Sequence, residues 1–150
     1  MSEREQPWSD AGIGEGRILV LSDNPISRAI VSIATAVGRE VLVEAADDGG
    51  PGVRPRAGDA VVVCDHDAPD APAVLRAALA SEASYVAMMA SRSRARALLA
   101  ELVDEDVDVS TLHVPAGHDL GGKAPGEIAL SVVAEIVAEA YGRPGGPMRD

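Results

Sequence analysis

The sequence has very few aromatic residues: no phenylalanine, two tyrosines and one tryptophan among 150 residues. So few rings provide no set of stacking platforms for nucleic-acid bases. The hydrophobic core must instead be built from valine, leucine, isoleucine and alanine. With 47% hydrophobic and 25% charged residues, the composition predicts a globular chain rather than a disordered one. A length of 150 residues suits one domain.

Cysteine and cationic residues are also scarce. The single cysteine, Cys64, excludes an intramolecular disulfide and any multi-thiolate metal site made by this chain alone. The 13 Lys and Arg residues against 24 Asp and Glu residues give a net charge of −11, which argues against nucleic acid or an anionic membrane as a partner. No apolar run approaches the roughly 20 residues that span a bilayer, and residues 2–6 are polar, unlike a secretory signal. We therefore expect a cytoplasmic protein.

Short apolar segments alternate with helical stripes along the chain. Asn24 and Pro25 predict a helix start, because Asn is a favoured N-cap and Pro a favoured first residue. Apolar residues then recur at helical spacing until Gly38, which predicts the helix end. The same reasoning predicts strands at 18–21, 41–43, 60–64, 85–89 and 112–114, and helices near 25–37, 71–81, 95–103 and 125–141.

This alternation predicts an α/β fold, a Rossmann-like three-layer sandwich with a five-stranded parallel sheet in the order 3-2-1-4-5. The predicted domain covers residues 17–141. Residues 1–16 are predicted to be a flexible lead-in, 46–58 a loop rich in Gly, Pro and Asp, and 142–150 a flexible tail.

In an open α/β sheet, ligands bind beyond the carboxyl ends of the strands where the strand order reverses. In the predicted order that point lies between the first and fourth strands, at residues 22–28 and 90–96. The first of these loops lacks the glycines of a Gly-x-Gly-x-x-Gly dinucleotide motif, and Asp23 repels phosphate. The sequence therefore argues against NAD(P) or FAD binding there.

The second loop favours an anion. Residues 91–96 read Ser-Arg-Ser-Arg-Ala-Arg at the start of a predicted helix, combining free amides, hydroxyls and guanidinium groups that suit phosphate or carboxylate. The alternative is that Arg94 and Arg96 are solvated helix residues and Ser93 is only an N-cap.

No metal site or catalytic group is predicted. His66 follows the third strand, whereas His113 and His118 belong to the fifth, and the predicted order puts these strands on opposite sheet edges. Cys64 is most simply a small core residue, and the Asp-His-Asp sequence at 65–67 a surface turn. Ser91 lacks a nucleophile elbow and a paired histidine.

Three stretches carry a family resemblance. They are AVVVCDHD at 60–67 with LRAAL at 75–79, then SYVAMMASR at 84–92, and finally HVPAGHDLGG at 113–122 with PGEIALSVVAEI at 125–136. From about residue 17 to 141, the chain resembles the C-terminal Rossmann-like domain of the XdhC/CoxI family, the accessory proteins of xanthine dehydrogenase and related molybdenum hydroxylases.

The resemblance implies a non-catalytic accessory or chaperone domain that binds molybdenum cofactor, helps its sulfuration and hands it to the apoenzyme. The implied partner is a molybdenum hydroxylase, or a protein supplying the family's separate N-terminal domain, which these 150 residues do not contain. The sequence leaves a homodimer as an undecided alternative. From the predicted topology we place the cofactor's phosphate, or a nucleotide on it, at a site comprising Ser22, Asn24, Ser27, Ser91, Arg92, Gly117 and Asp119.

The chain also departs from the family pattern. Family members commonly carry a glycine-rich first loop, a glycine at the position of Ala90, a leucine at His118 and a threonine at Ala124. These departures support one alternative, a protein-interaction module that keeps the fold without a ligand. A second alternative is an NAD(P)-dependent oxidoreductase domain, which the glycine-free first loop opposes.

Overall fold

The computed structural model of the protein describes residues 16–44 and 54–149 and confirms the α/β, Rossmann-like class. Most of the predicted lead-in at 1–16 and part of the loop at 46–58 lie outside these residues. The described tail, from 142 to 149, contains neither helix nor strand. The elements in chain order are β1 (Ile18–Leu21), α1 (Pro25–Val37), β2 (Val41–Glu44), β3 (Ala60–Val63), α2 (Ala71–Leu79), β4 (Tyr85–Met88), α3 (Arg92–Asp104), β5 (Leu112–His113) and α4 (Pro125–Ala140).

The sheet is parallel with the order β2-β1-β3-β4-β5. The predicted order 3-2-1-4-5 was wrong in the position of β3, which lies against β1 with Ile18 opposite Ala60. The reason is burial: all four residues of β3 are buried, as a central strand requires, whereas Val43 of β2 is 45% exposed, as an edge strand allows. The strand order therefore reverses between β1 and β3.

Alternate residues of each central strand enter two separate cores. On one face, Leu19, Leu21, Val61, Val63, Val86 and Met88 pack under α2 and α3. On the other face, Ile18, Val20, Ala60, Val62, Tyr85 and Ala87 pack under α1 and α4. Because all strands run in the same direction, the loops that follow them lie at one end of the sheet, which we call the carboxyl edge. The end where the strands begin is the amino edge.

A buried ion pair joins β1 and β3 at the opposite, amino edge. The Arg17 guanidinium contacts the Asp59 carboxylate at 2.5 Å, and the Arg17 amide donates to the same carboxylate at 2.9 Å. Burial alone would raise the pKa of Asp59, but these hydrogen bonds outweigh burial and lower it. The pair aligns the starts of the two central strands.

Candidate functional site

The loops at the carboxyl edge, residues 22–24, 64–70, 89–91 and 114–124, are tied to one another. The side-chain amide of Asn24 donates to the carbonyl of Cys64 at 3.2 Å, and Nδ1 of His66 lies 3.0 Å from the carbonyl of Met89. The Ala116 amide donates to the carbonyl of Met88 at 3.1 Å. Each of these four described loops is therefore hydrogen-bonded to a neighbouring loop or strand.

The polar atoms of the first loop serve the helix that follows it. Asn24 Oδ1 accepts the Ser27 amide at 2.9 Å, and Ser27 Oγ accepts the Asn24 amide at 2.8 Å, a reciprocal cap of α1. Ser27 is 1% exposed. Ser22 is also buried and has a φ of 81°, in the left-handed region that favours glycine. The structure thus places Ser22 and Asn24 in the first loop and Ser27 in the first turn of α1, with the Asn24 and Ser27 side chains bonded to protein atoms.

The crevice where the strand order reverses is nearly closed. Its cavity measures about 10 Å³ and is bordered by Ser22, Ala68 and Asp70 among others. Among the described residues, no partner hydrogen-bonds Oδ2 of Asp70, which is buried. The Asn24–Cys64 hydrogen bond spans the loops on either side. A crevice this small, with a carboxylate beside it, is unsuited to the pyrophosphate of a dinucleotide.

The start of α3 is more open and carries cationic groups. Ser91 is the N-cap, and its Oγ accepts the amide of Arg94 at 3.2 Å. The Arg94 guanidinium lies 3.1 Å from the Asp67 carboxylate, and that of Arg92 lies 3.8 Å from the Asp119 carboxylate. Both pairs are exposed, at 80% and 82% for Arg92 and Asp119, and such pairs contribute at most about 1 kcal/mol. An anion can replace either carboxylate at small cost and would also meet the positive end of the helix.

Ser91 and Arg92 lie at the start of α3, and Arg92 pairs with Asp119. Gly117 makes its hydrogen bond elsewhere, to α4. The Gly117 amide donates to Oε1 of Glu135 on α4 at 3.1 Å, and a Cβ at this position would clash with Oγ of Ser131. Its φ of 96° favours glycine. Gly117 therefore fits the close contact between the last loop and α4.

A polar cluster that the sequence did not predict lies beneath that loop. Oε1 of Glu135 accepts the Tyr85 hydroxyl at 2.6 Å and lies 3.5 Å from Nδ1 of His113, whose ring stacks on that of Tyr85 at a centroid distance of 4.4 Å. Burial would raise the pKa of Glu135, but hydrogen bonds from His113, Tyr85 and Gly117 lower it to about 2. The same carboxylate raises the pKa of His113. The signal for this cluster in the sequence was Glu135, an acidic residue next to the buried apolar stripe of the last helix.

Among the described residues, the histidines and Cys64 form no metal site. His66 follows β3 and His113 lies in β5, and only β4 separates these two strands. The prediction that the two histidines lie on opposite edges of the sheet was therefore wrong. Within residues 16–44 and 54–149, no group of three or more His, Cys, Asp or Glu side chains is arranged to hold a metal ion. Burial, with a contribution from Asp65, raises the pKa of Cys64 to about 12, so the thiol stays protonated at neutral pH.

The helices of the described chain are all too short or too polar to cross a membrane.

Three comparisons place the chain among known proteins. A family model described as the XdhC Rossmann domain matches residues 18–136. The uncharacterised protein YqeB of Escherichia coli is 35% identical over 68 residues, which cover 43% of this chain and 13% of YqeB. A structure described as a xanthine dehydrogenase from Bacillus halodurans superposes with a TM-score of 0.70 at 22% identity, over 86% of this chain and 44% of that one. The chain thus spans less than half of either protein, and the structural likeness is one of fold.

Proposed function

Since this chain belongs to the XdhC family of Rossmann domains, we propose that it is a cytoplasmic accessory domain in the maturation of a molybdenum hydroxylase and that it binds the molybdenum cofactor as cargo. The observation that carries the proposal is the start of α3. There Ser91 caps the helix, and Arg92 and Arg94 each form an exposed ion pair with a carboxylate.

The phosphate end of the cofactor, or of a nucleotide attached to it, is the part that suits this position. Amides in the first turn of a helix have no intrahelical acceptor, so they are free to bind a phosphate oxygen. The guanidinium groups of Arg92 and Arg94 would add charge-assisted hydrogen bonds. Binding would move Asp119 and Asp67 away from their present partners.

The rest of the cofactor needs a second protein surface. Arg92 and Asp119 are about four-fifths exposed, so a ligand held there stays largely in water on one side, whereas small-molecule sites usually bury most of their ligand. We therefore propose that the client hydroxylase, or a protein carrying the family's N-terminal domain, covers the pterin while this domain holds the phosphate.

The test is calorimetric titration of molybdenum cofactor into the protein, alone and with its partner, using three single variants. Arg92→Ala should weaken binding about tenfold, because a lost charge-assisted hydrogen bond costs about 1.5 kcal/mol or more. Asp119→Asn should strengthen binding, since it releases Arg92 from its carboxylate. Arg96→Ala, an exposed arginine farther along α3, removes the same charge and serves as the control.

Equal losses of affinity in Arg92→Ala and Arg96→Ala would show that net charge alone causes the effect, and would overturn the proposed site. Absence of binding with and without the partner would overturn the cofactor role itself.

A second candidate function, a protein-interaction module without a ligand, is favoured by one observation. The cavity at the reversal of strand order measures about 10 Å³, and the Asn24 side chain joins the loops after β1 and β3 by its hydrogen bond to the carbonyl of Cys64. On this alternative, the hydroxylase binds the domain in size-exclusion chromatography, yet neither molybdenum cofactor nor NADPH raises its Tm. A saturable rise with NADPH would instead favour the oxidoreductase alternative.

A further inference from the structure

At the amino edge of the sheet, a helix end holds one arginine in a defined place. α1 ends at Gly38, whose φ is 101° and whose amide donates to the carbonyl of Ala34 at 3.1 Å. The next amide, that of Arg39, donates to the same carbonyl at 2.9 Å. These bonds form the αL termination typical of helix ends, so the backbone that carries Arg39 is held firmly.

The Arg39 side chain is buried and, among the described residues, forms no ion pair. The residue is 5% exposed, and its Nε is buried with no hydrogen-bond partner. Across residues 16–44 and 54–149, no side chain forms an ion pair with this guanidinium. Arg17, whose side chain is 12% exposed at the same edge, is paired with Asp59. A buried, unpaired cation is costly, and that cost falls when an anion binds it.

Arg39 lines a cavity of about 280 Å³. Its apolar walls are formed by Ala60, Ile136 and Ala140. Ser84 also borders the cavity; its Oγ accepts the amide of Gly58 at 2.9 Å, which leaves the hydroxyl proton available for a second acceptor. The cavity is therefore lined by two kinds of donor, the Arg39 guanidinium and the Ser84 hydroxyl, and by apolar side chains.

The other polar side chains of this cavity do not neutralise Arg39. The Tyr85 hydroxyl is already donated to Glu135. Glu139 borders the cavity but is exposed and forms no ion pair with Arg39. Its charge at the rim opposes anion entry rather than completing the site.

We propose that this cavity binds a small organic anion, with a carboxylate or phosphate group against the Arg39 guanidinium and the Ser84 hydroxyl. A short aliphatic body would then contact Ala60 and Ile136. The volume lies near the lower end for small-molecule sites, which sets the size class. The site lies at the sheet edge opposite the start of α3, so it is separate from the proposed cofactor position.

The test uses acetate, butyrate and inorganic phosphate as probes, titrated into the full chain at constant ionic strength and followed by Tm and by amide chemical shifts. We expect saturable stabilisation and shifts of the Gly58 and Ser84 amides. If the apolar walls contact the ligand, butyrate should bind more tightly than acetate by about fourfold for each methylene buried. If inorganic phosphate binds and neither acetate nor butyrate does, the ligand class is a phosphate ester rather than a carboxylate.

Three variants make the outcome decisive. Arg39→Met, which keeps an unbranched apolar stem without the charge, should abolish the saturable shifts of the Gly58 and Ser84 amides, and Arg96→Ala, which removes an exposed arginine of α3, should leave them unchanged. Glu139→Gln should tighten anion binding severalfold, because it removes a repelling charge from the rim.

Two results would overturn the proposal. One is a response in Arg39→Met equal to that of the unchanged protein, which would be a general salt effect. The other is loss of stability in Glu139→Gln without tighter anion binding, which would make Glu139 the partner of Arg39 in solution.

Discussion

Single residues at helix starts distinguish α1 from α4. α1 has a complete reciprocal cap, with Asn24 and Ser27 each accepting the other's amide. α4 starts after Ala124, whose methyl group accepts nothing, although Glu127 occupies the position that would complete a capping box. The first turn of α4 therefore has an acid in place but no N-cap acceptor.

We predict that Ala124→Ser stabilises the protein by about 1 kcal/mol, because Ala124 already has the extended backbone that an N-cap requires (φ −66°, ψ 148°). For a chain of this size, that free energy of unfolding corresponds to a rise in Tm of roughly 2–4 °C. Urea denaturation measures it, with Ala124→Val as the control that adds volume but no acceptor. A Tm unchanged in Ala124→Ser would show that Glu127 alone suffices for this helix start.

At the scale of elements, a single carboxylate joins α4 to the sheet and to the last loop. Glu135 accepts hydrogen bonds from Tyr85 of β4 and from the Gly117 amide, and lies beside His113 of β5. Deprotonated Glu135 and protonated His113 stabilise each other. The attachment of α4 should therefore depend on pH in two directions.

The two pKa shifts define a window of greatest stabilisation. The pKa of Glu135 falls from 4.5 to about 2 on folding, so its contribution is complete above pH 4.5 and is lost as the pH falls towards about 2. The pKa of His113 rises from 6.5, so its contribution is complete below pH 6.5 and is lost as the pH rises through the folded value. The cluster should stabilise most between these limits.

Glu135→Gln should flatten this pH profile and destabilise the protein near pH 5.5 by up to about 3 kcal/mol, the free energy equivalent to the Glu135 shift. Urea denaturation between about pH 3 and pH 9 measures the profile. Asp104→Asn, on an exposed position of α3, removes one negative charge elsewhere and should leave it unaltered. If both variants changed the profile alike, net charge rather than the cluster would govern it.

For the whole molecule, the dominant electrostatic quantity is the net charge of −11. Like charges repel one another in the compact state, and salt screens that repulsion. The exposed ion pairs, such as Arg28–Asp23 and Arg94–Asp67, act in the opposite direction but contribute little each. The repulsion should therefore prevail at low ionic strength.

We predict that Tm rises by a few degrees between about 10 mM and about 200 mM NaCl, as the Debye length falls from about 30 Å to below 10 Å. Differential scanning calorimetry at pH 7 measures this change. Repetition at pH 4.6, the isoelectric point calculated from the sequence, should show little salt dependence. A Tm that falls with salt at pH 7 would mean that attractive pairs outweigh the repulsion.

The candidate site was predictable only in part. Ser91 and Arg92 could be placed at a helix start because N-cap and charge patterns are local in the sequence. The pairing of Arg92 with Asp119, the bridge from Asn24 to Cys64 and the bonds around Glu135 join residues distant in the chain. No pattern in the sequence specifies such contacts, because they depend on which loops become neighbours after folding.

The sequence by itself determined the elements, since helix caps, turn residues and apolar periodicity act over a few residues: all five predicted strands and all four predicted helices formed near their expected bounds. Only the tertiary structure decided the strand order. β3 took the position beside β1 because a strand buried on both faces gains most in the centre, while the less apolar β2 tolerates the edge. That placement also brought the loops after β1 and β3 together, where Asn24 bonds to the carbonyl of Cys64, a contact that no local pattern in the sequence specifies.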